Sequence, residues 1–469
     1  MENLIVELSK YLMILLFACY TFTCFHALNG KKSEWRQKRI LKKQTKFIFL
    51  IHLNAFVVIF AVQKTVNVLI AYVMQAALLC CIIIIYKYIY KRASGLVVNN
   101  MCMLLAIGFV ILFRLDPDKA VRQYEIAVAA VVITLIIPFF IHKLHFLDRL
   151  TWVYAAVGIV LLGAVAVLGS VSYGAKLSFR VAGIAIQPSE FVKILFVFFA
   201  ASMLAKSTEF PQVVKTTVVA AVHVLILVVS KDLGAALIFF ITYLVMLYVA
   251  TRSPLYFISG LACGSVASVV AYKLFRHVRV RVTAWRDPLS VINDEGYQVC
   301  QSLFAIGTGG WFGMGLYQGM PNKIPIVEED FVFAAVSEEL GGIFAVCLIM
   351  VCASCYLMFL NIAMQMHDLF YKLIALGLGT VYGFQVFLTI GGVTKFIPST
   401  GVTLPLVSYG GSSLLSTFII FAIIQGLYIL REDEEGFDET KLEEKKFHEK
   451  RSGRAGRKTA EKGRRKVSE

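Results

Sequence analysis

The loop 275–337 carries the residues of this sequence best suited to chemistry, because cations and carboxylates occur together in it. Four arginines open the loop: Arg276, Arg279, Arg281 and Arg286. Three carboxylates follow them: Asp287, Asp294 and Glu295. A carboxylate can act as a general base, and arginine can hold a diphosphate through charge-assisted bidentate hydrogen bonds. Together they suit transfer from a phosphate-activated donor. The alternative interpretation is a solvated loop of mixed charge.

A second polar cluster precedes an apolar run. The sequence QPSE at 187–190 is followed by Lys193 and preceded by Arg180. Its proline stands where a helix could begin, and its serine and glutamate fall in the first turn, where an acid is favourable. A helix N-terminus alone would explain this pattern. Ionisable residues at the edge of a membrane span are nevertheless functional candidates by default, and we interpret the cluster as part of a site.

Carboxylates also occur at other boundaries of apolar runs. Asp232 lies in a short polar turn, and Asp330 precedes an apolar run that Glu338 and Glu339 enter. A charged side chain at the centre of a membrane helix costs about 2.5–3.5 kcal/mol. These two glutamates therefore need a partner or a wet cavity, and the arginines of the loop 275–337 are candidates.

Glycine and proline interrupt the segment 398–413, which also contains Ser408 and Tyr409. Breaks of this kind at membrane depth occur where the backbone is buried in protein or lines a cavity. The segment is therefore expected to line the same site as the polar clusters.

Two other motifs are set aside. The glycine run 307–315 does not follow the G-x-G-x-x-G spacing and has no βαβ unit around it, which excludes a dinucleotide site. Cys352 and Cys355 form a lone CxxC pair inside an apolar helix, so we interpret them as small packing residues rather than metal ligands. No protein-bound metal site is predicted from the residues.

Membrane-spanning helices must position these groups. The chain of 469 residues is 58% hydrophobic and 16% charged, with a mean hydropathy of +0.75, whereas soluble domains are about 45–50% apolar and about 25% charged. Apolar runs of about 20 residues predict spans. Thirteen are found, near 4–26, 46–63, 66–90, 98–114, 125–141, 151–170, 191–205, 212–229, 233–251, 253–274, 338–361, 369–391 and 409–430. We therefore predict an all-α, polytopic integral membrane protein.

Basic loops predict the orientation of these spans, because cytoplasmic loops are rich in Lys and Arg. The loop 31–46 is strongly basic, and four others carry basic residues: 87–92, 142–149, 206–215 and 251–252. They account for much of the net charge of +16, so membrane topology explains the charge better than nucleic-acid binding. The tail 431–469 is charged in both signs and lacks apolar periodicity, which predicts a disordered cytoplasmic segment.

Thirteen spans with a cytoplasmic C-terminus place the N-terminus outside. The loop 275–337 then also lies outside, although it is basic. A miscounted span would explain this exception, but we favour a basic site for an anionic ligand at the outer face. The loops 171–190, 230–234 and 392–408 fall on the same side, and together the four loops are expected to form the walls of one site.

Taken in order, these motifs resemble those of the SEDS family, which comprises the FtsW, RodA and SpoVE proteins of bacterial cell-wall synthesis. The resemblance is carried by four stretches: QPSE at 187–190 with Lys193, GYQ at 296–298 with Gln301 and Ser302, DFVF at 330–333 with Glu338 and Glu339, and LPLVSYGGSS at 404–413. It covers residues 98–430 as a ten-span core. Residues 1–97, with about three further spans and a basic cytoplasmic loop, resemble an N-terminal extension.

The resemblance implies a peptidoglycan glycosyltransferase that polymerises lipid II at the outer face of the bacterial cytoplasmic membrane, during cell division or elongation. A sugar hydroxyl would attack the anomeric carbon of the lipid-linked sugar, and the undecaprenyl diphosphate would leave. A carboxylate would take the proton, while arginines, Lys193 or a divalent cation (Mg or Mn) would offset the charge of the diphosphate. No organic cofactor is expected.

Site residues follow from the motifs and the resemblance together. Asp294 is the first candidate for the catalytic base, with Glu295 and Asp287 as the alternatives. Substrate-binding side chains are expected at Arg180, Gln187, Ser189, Glu190, Lys193, Asp232, Arg279, Arg281, Gln298, Gln301, Asp330, Glu338, Glu339, Ser408 and Tyr409. The chain also departs from the family pattern. The position where the family commonly has its acid is Val291 here, and Thr389 and Lys395 stand where Asn and Gly are common.

The resemblance also implies partners, namely a class B penicillin-binding transpeptidase and other division or elongation proteins. Two other functions compete with the enzyme. A lipid II flippase would place charged residues near the bilayer midplane with access from both sides, and a non-catalytic scaffold would tolerate substitution of Asp294, Glu190 or Arg281. The concentration of acids and arginines in outer loops favours chemistry on one face. Division, elongation and sporulation roles all fit the sequence.

Overall fold

Long apolar helices dominate the fold, as expected of a chain that must satisfy its backbone hydrogen bonds inside lipid. The structure is a computed structural model that describes residues 2–28, 34–144, 146–172, 175–181 and 184–433. Within these residues, thirteen helices are long and apolar enough to cross a membrane. The predicted number of spans and the all-α polytopic fold are therefore confirmed. The part of the predicted tail from 434 to 469 lies outside the described residues.

Most helices follow one another with short connections, and the longer ones are 169–187, 310–331 and 394–410. In chain order they are α1 (Glu2–Leu28), α2 (Glu34–Gln63), α3 (Val66–Ile89), α4 (Gly95–Leu115), α5 (Pro117–Thr134), α6 (Ile137–Lys143), α7 (Thr151–Leu168), α8 (Pro188–Lys206), α9 (Phe210–Val229), α10 (Leu233–Thr251), α11 (Pro254–Leu274), α12 (Arg276–Arg286), α13 (Tyr297–Gly309), α14 (Val332–Gln365), α15 (Leu369–Val393) and α16 (Gly411–Asp433). Helices α5 and α6 belong to one span, whereas α12 and α13 are too short to cross a bilayer.

A small antiparallel sheet precedes α8, where the sequence analysis expected only a loop. Its strands are β1 (Ser170–Ser172), β2 (Ala175–Val181) and β3 (Ile184–Ile186), in the order β1-β2-β3. Within β2, Arg180 lies opposite Ala185 of β3. The side chain of Arg180 lies outside the part of the structure that is described, so its predicted role stays a prediction.

Burial separates the helices into central and peripheral ones. Helix α4 is largely apolar and is buried along almost its whole length, as a helix at the centre of a bundle should be. Helices α8, α15 and α16 are also largely buried, whereas α11 packs against α10 and exposes its apolar surface. This arrangement is that of a multi-pass membrane protein whose outer helices face lipid.

The three N-terminal helices pack directly on the rest of the bundle. Helix α1 contacts α14, and both α2 and α3 contact α4. Buried hydrogen bonds join the two parts: Tyr20 Oη donates to Asn100 Oδ1 at 2.8 Å, and Asn100 Nδ2 donates to Ser354 Oγ at 3.1 Å. The division of the chain at residue 97 stays a prediction, and the residues on either side of it share one core.

Irregular segments at one end of the bundle hold the predicted site residues. Helix α12 is tied to the segment 394–410, because Trp285 Nε1 donates to the carbonyl oxygen of Lys395 at 3.1 Å. Helix α13 is tied to α15, because Ser302 Oγ donates to the carbonyl oxygen of Val393 at 2.9 Å. The long loop and the segment 394–410 therefore meet, as the sequence predicted for its outer loops.

Candidate active site at one end of the bundle

A break in α14 shapes this end of the molecule. Gly341 has φ 89° and ψ 166°, a conformation that is essentially restricted to glycine. The carbonyl oxygens of Glu338 and Glu339 lose their partners within the helix and accept from the amides of residues 314–315, at 2.9 and 2.8 Å. Beyond the break, amides of α14 donate to carbonyl oxygens of residues 310–311. The glycine run of the long loop thus satisfies the backbone of a broken helix.

Both glutamates before the break are buried. Glu339 Oε1 accepts from Arg114 Nε at 2.9 Å and from the amide of Tyr317 at 3.1 Å. Glu338 Oε1 accepts from the amide of Met320 at 2.8 Å, and its Oε2 has no hydrogen-bond partner among the described residues. The expected arginine partner is therefore present, but it comes from the end of α4 and not from the loop 275–337.

Arg281 and Asp330 face each other across Gly401. A Cβ atom on Gly401 would lie 3.4 Å from Arg281 Nη2 and 3.4 Å from Asp330 Oδ2. Burial raises the pKa of Asp330 to about 6, although the positive charge of Arg281 lowers it. Burial and the neighbouring carboxylates likewise raise the pKa of Glu329 to about 6. This corner of the site therefore combines an arginine with carboxyl groups that titrate near neutral pH.

The raised pKa of Asp330 predicts how stability depends on pH. Its folded pKa of about 6 lies above the ordinary value of 3.8, so the folded state binds more protons between these values and loses stability as the pH rises through them. We expect Asp330→Asn to raise the unfolding temperature in detergent at pH 7.5, and to change it much less at pH 4. Glu295→Gln, at an exposed carboxylate, is the matched control. An equal gain at both pH values would contradict the assignment.

The predicted residues of the QPSE motif meet Asp232. Asp232 Oδ2 accepts from Ser189 Oγ at 3.0 Å and from Gln187 Nε2 at 3.3 Å. Its Oδ1 accepts from the amide of Ala235, which caps the N-terminus of α10. Burial raises the pKa of Asp232, and its charge also acts on Arg281. The starts of α8 and α10 are thereby joined beside the Arg281 corner.

Lys193 is the centre of a buried polar network. Its Nζ donates to Glu190 Oε2 at 2.6 Å and to Gln385 Oε1 at 2.8 Å. Ser416 Oγ donates to the same Glu190 oxygen at 2.8 Å, and Gln385 Nε2 donates to the carbonyl oxygen of Thr403 at 3.1 Å. The network ties α8, α15, α16 and the segment 394–410 together, and neither Gln385 nor Ser416 was predicted from the sequence.

Ser408 and Tyr409 sit in the segment 394–410 as predicted, but mainly support its backbone. Ser408 Oγ accepts from the amide of Leu404 at 2.9 Å, and the Tyr409 amide donates to the carbonyl oxygen of Glu328 at 2.8 Å. Lys119 forms an ion pair with the Glu328 carboxylate and lies 5.7 Å from the centre of the Tyr409 ring. The tip of α5 is thus attached to the same end of the bundle.

A family model identifies the protein family of this chain. The family model of the FtsW, RodA and SpoVE proteins, described as "Cell cycle protein", matches residues 94–432. The chain belongs to this family. Helices α1–α3 precede the matched residues of this FtsW/RodA/SpoVE member.

Curated relatives agree with the family match. The peptidoglycan glycosyltransferase RodA of Mycobacterium tuberculosis (strain H37Rv) is 36% identical over 69% of this chain and 75% of its own length. The probable peptidoglycan glycosyltransferase FtsW of Aliivibrio salmonicida is 31% identical over 71% of this chain and 86% of its own length. Stage V sporulation protein E of Bacillus subtilis is 31% identical over 68% of this chain and 92% of its own length.

Solved structures share the fold. RodA of Thermus thermophilus is 24% identical, with a TM-score of 0.52 over 72% of this chain and 96% of that chain. A chain from a peptidoglycan synthase complex, in work on the coordination of polymerization and crosslinking, is also 24% identical. It has a TM-score of 0.61 over 72% of this chain and 98% of that chain.

The three predicted catalytic carboxylates lie apart from these networks. They occupy an exposed turn, 287–296, between α12 and α13. Asp287 Oδ1 accepts from the amide of Ser290 at 3.4 Å. No hydrogen bond or ion pair joins the Asp294 or Glu295 carboxylate to another residue in the described ranges. The turn is accessible to a substrate, and the role of these acids stays a prediction.

The remaining predicted residues line the same end. Arg279 is exposed, with Nη1 donating to the carbonyl oxygen of Lys273 at 3.0 Å. Gln298 Nε2 donates to the carbonyl oxygen of Pro325 at 2.7 Å, and Gln301 is partly exposed on α13. All three belong to the long loop 275–337.

Thr389 and Lys395, which differ from the Asn and Gly of the family pattern, both have clear structural roles. Thr389 Oγ1 donates to the carbonyl oxygen of Val402 at 2.8 Å and so anchors the segment 394–410. Lys395 has φ 59°, in the left-handed region that glycine adopts most easily. The conformation at 395 therefore matches the glycine expected there from the family pattern, although the residue is lysine.

A protein cage for the predicted divalent cation does not form among the described residues, where no three His, Cys, Asp or Glu side chains gather into a metal-binding group. Mg²⁺ is usually held by one or two carboxylates together with substrate phosphates and water. The carboxylates at the Arg281 corner suit that more limited role, and the cation stays a prediction.

Proposed function

We propose that this chain is a peptidoglycan glycosyltransferase that polymerises lipid II into glycan strands at the outer face of the bacterial cytoplasmic membrane. The observation that carries the proposal is the Arg281 corner. It sets an exposed arginine beside the carboxylates of Asp330 and Asp232 in a chain 36% identical to a RodA peptidoglycan glycosyltransferase. Such a corner suits a diphosphate leaving group and the deprotonation of a hydroxyl.

In the proposed reaction, a sugar hydroxyl of one lipid II attacks the anomeric carbon of the lipid-linked growing chain. The new glycosidic C–O bond forms while the C–O bond to the undecaprenyl diphosphate breaks. Arg281, which is exposed at the site, binds the departing diphosphate through bidentate charge-assisted hydrogen bonds. Lys193 acts indirectly, because its charge is already paired with Glu190.

The hydroxyl proton passes to a carboxylate. Asp294 is the proposed base, with Glu295 and Asp287 as the alternatives, since all three lie on the accessible turn 287–296. Asp330 is a further candidate, because its pKa of about 6 lies near the working pH of an effective general base. Substitution distinguishes the carboxylates of the turn 287–296 from Asp330, because only loss of the true base should lower activity strongly.

The proposed partner is a class B penicillin-binding transpeptidase that cross-links the new glycan, together with other division or elongation proteins. The likeness of the fold to a chain from a peptidoglycan synthase complex supports this proposal. The proposed orientation, with the C-terminus in the cytoplasm and the site outside, rests on the basic loops at the opposite end of the spans.

The test is polymerisation of purified lipid II by the purified protein, with and without its transpeptidase. We expect polymer from the wild type. A positioned base contributes about 10²–10⁴-fold, so we expect a loss of that size from Asp294→Ala or from Asp330→Ala, whichever removes the base. Asp118→Ala, at an exposed acid of α5, should behave as wild type. Chelation followed by Mg²⁺ or Mn²⁺ addition tests the cation.

The outcomes separate the competing functions. Polymer from both Asp294→Ala and Asp330→Ala would show that neither residue is the base. The base would then be Glu295 or Asp287, or no carboxylate at all. A wild type that makes no polymer but moves lipid II across liposomes would replace the enzyme by a flippase. A wild type inactive in both assays, whose variants still support growth, would indicate a scaffold.

A further inference from the structure

Helices α1 and α2, which lie before the residues matched by the family model, contact the segment 311–319 of the long loop. Lys10 Nζ donates to the carbonyl oxygen of Gly313 at 3.4 Å. The rings of Tyr11 and Phe312 lie 5.7 Å apart. A segment that precedes the matched residues therefore touches the loop that pairs with the broken helix α14.

Gln63, the last residue of α2, contacts a residue that also holds the buried ion pair. Its Nε2 donates to Tyr317 Oη at 2.5 Å. The amide of the same tyrosine donates to Glu339 Oε1 at 3.1 Å, and its ring lies 4.4 Å from the guanidinium carbon of Arg114. Tyr317 is thus held at its hydroxyl by α2 while its amide and ring hold Glu339 and Arg114.

The conformation of Tyr317 shows that it needs such support. Its φ is 67°, a value that costs a bulky residue free energy and persists only when the surroundings impose it. Glu339 is almost fully buried, and a buried ion pair is favourable only when its geometry and its additional hydrogen bonds are good. Releasing the Tyr317 hydroxyl removes one of the restraints on that geometry.

We infer that α1 and α2 form a positioning element of the enzyme and that Gln63 is its positioning residue, acting through Tyr317 on the Arg114–Glu339 pair. The inference rests on the proposed function, since it concerns the geometry of that site. Gln63 contacts no substrate in this scheme. It restrains the segment 311–319, and that segment orients the two charges beside the break in α14.

The test compares Gln63→Ala, Tyr317→Phe and the double variant in the full chain. A net hydrogen bond of ordinary strength corresponds to roughly a threefold to tenfold effect, so we expect Gln63→Ala to lower kcat by about that factor with little change in KM for lipid II. Tyr317→Phe should have the same effect, and the double variant no more than either, because both remove one contact. Hydrogen exchange of the amides in 311–319 should quicken in all three.

Asn54→Ala is the matched control. Its Nδ2 donates to the carbonyl oxygen of Ser9 at 3.0 Å, a contact between α2 and α1 that does not reach the loop. We expect wild-type kcat and wild-type exchange in 311–319 from this variant.

Each result decides the inference. Wild-type kcat in Gln63→Ala would overturn it, whether or not exchange quickens. Equal losses in Gln63→Ala and Asn54→Ala would reduce the role of α1 and α2 to general stability and also overturn it. Additive losses in the double variant would overturn it too. An inactive wild type would instead contradict the proposed function. In that case hydrogen exchange still tests the contact: an unchanged exchange rate of the amides in 311–319 in Gln63→Ala would reject the contact between Gln63 and Tyr317.

Discussion

Gly341→Ala is expected to remove polymerisation activity and to lower the unfolding temperature strongly. Gly341 has φ 89°, and an added Cβ would lie 2.4 Å from the amide nitrogen of Gly313 and 2.5 Å from the carbonyl carbon of Phe312. Both are backbone atoms and cannot swing aside. Strain of about 1–3 kcal/mol adds to the loss of the hydrogen bonds between the loop and the broken helix. Polymerisation and thermal unfolding of the purified variant measure the two effects.

Gly307→Ala provides the control for this substitution. Gly307 lies in α13, and a Cβ there would meet no atom within 4 Å. Replacing an unstrained helical glycine by alanine is favourable by roughly 0.5–1 kcal/mol, so stability should stay the same or rise. If Gly341→Ala and Gly307→Ala unfold at the same temperature, the break in α14 does not require a glycine at position 341.

Arg114→Ala is expected to have the second large effect, because it leaves a buried carboxylate unpaired. The Arg114 Nη2 to Glu339 Oε1 distance is 2.8 Å, and the Glu339 side chain is 1% exposed. Removing one partner of a buried pair costs about 3–5 kcal/mol. We expect a corresponding fall in the free energy of unfolding, measured in detergent with chemical denaturant, and loss of polymerisation.

Two further variants test why Arg114→Ala should lose stability. Arg122→Ala removes an exposed arginine of the neighbouring helix α5 and should change stability by less than about 0.5 kcal/mol. Combining Arg114→Met with Glu339→Met removes both charges, and this should restore much of the stability without restoring activity. A double variant as unstable as Arg114→Ala would show that packing, and not the unpaired charge, causes the loss.

The positions of the spans could be predicted from the sequence because the preference for lipid is a local property of about 20 residues. The predicted starts were less accurate where polar residues enter a helix. The span expected at 338–361 begins at Val332, because Arg114 and the loop amides compensate the two glutamates inside it. The strands before α8 were missed, since so short a sheet leaves little hydropathy pattern.

The candidate site could be predicted in part. The short-range groupings are present: Lys193 pairs with Glu190 three residues earlier. The longer link from the QPSE motif to Asp232 also exists, since Ser189 bonds that carboxylate. The arginines of the loop 275–337 were the candidate partners of Glu339, but its partner is Arg114. Arg114 lies 225 positions away in the sequence, and only the packing of α4 brings it near. An arginine ending an otherwise apolar span was the available signal.

The contacts of α1 and α2 with the long loop also set an order on biosynthesis. Lys10 and Gly313 are 303 positions apart, and Gln63 and Tyr317 are 254 apart. Ribosomes add about 5–20 residues per second, so roughly 13–60 s separate the emergence of the two partners, during which at least eight further spans enter the membrane. Until Tyr317 has been synthesised, Gln63 therefore lacks this partner, and the restraint on the segment 311–319 forms only late in translation.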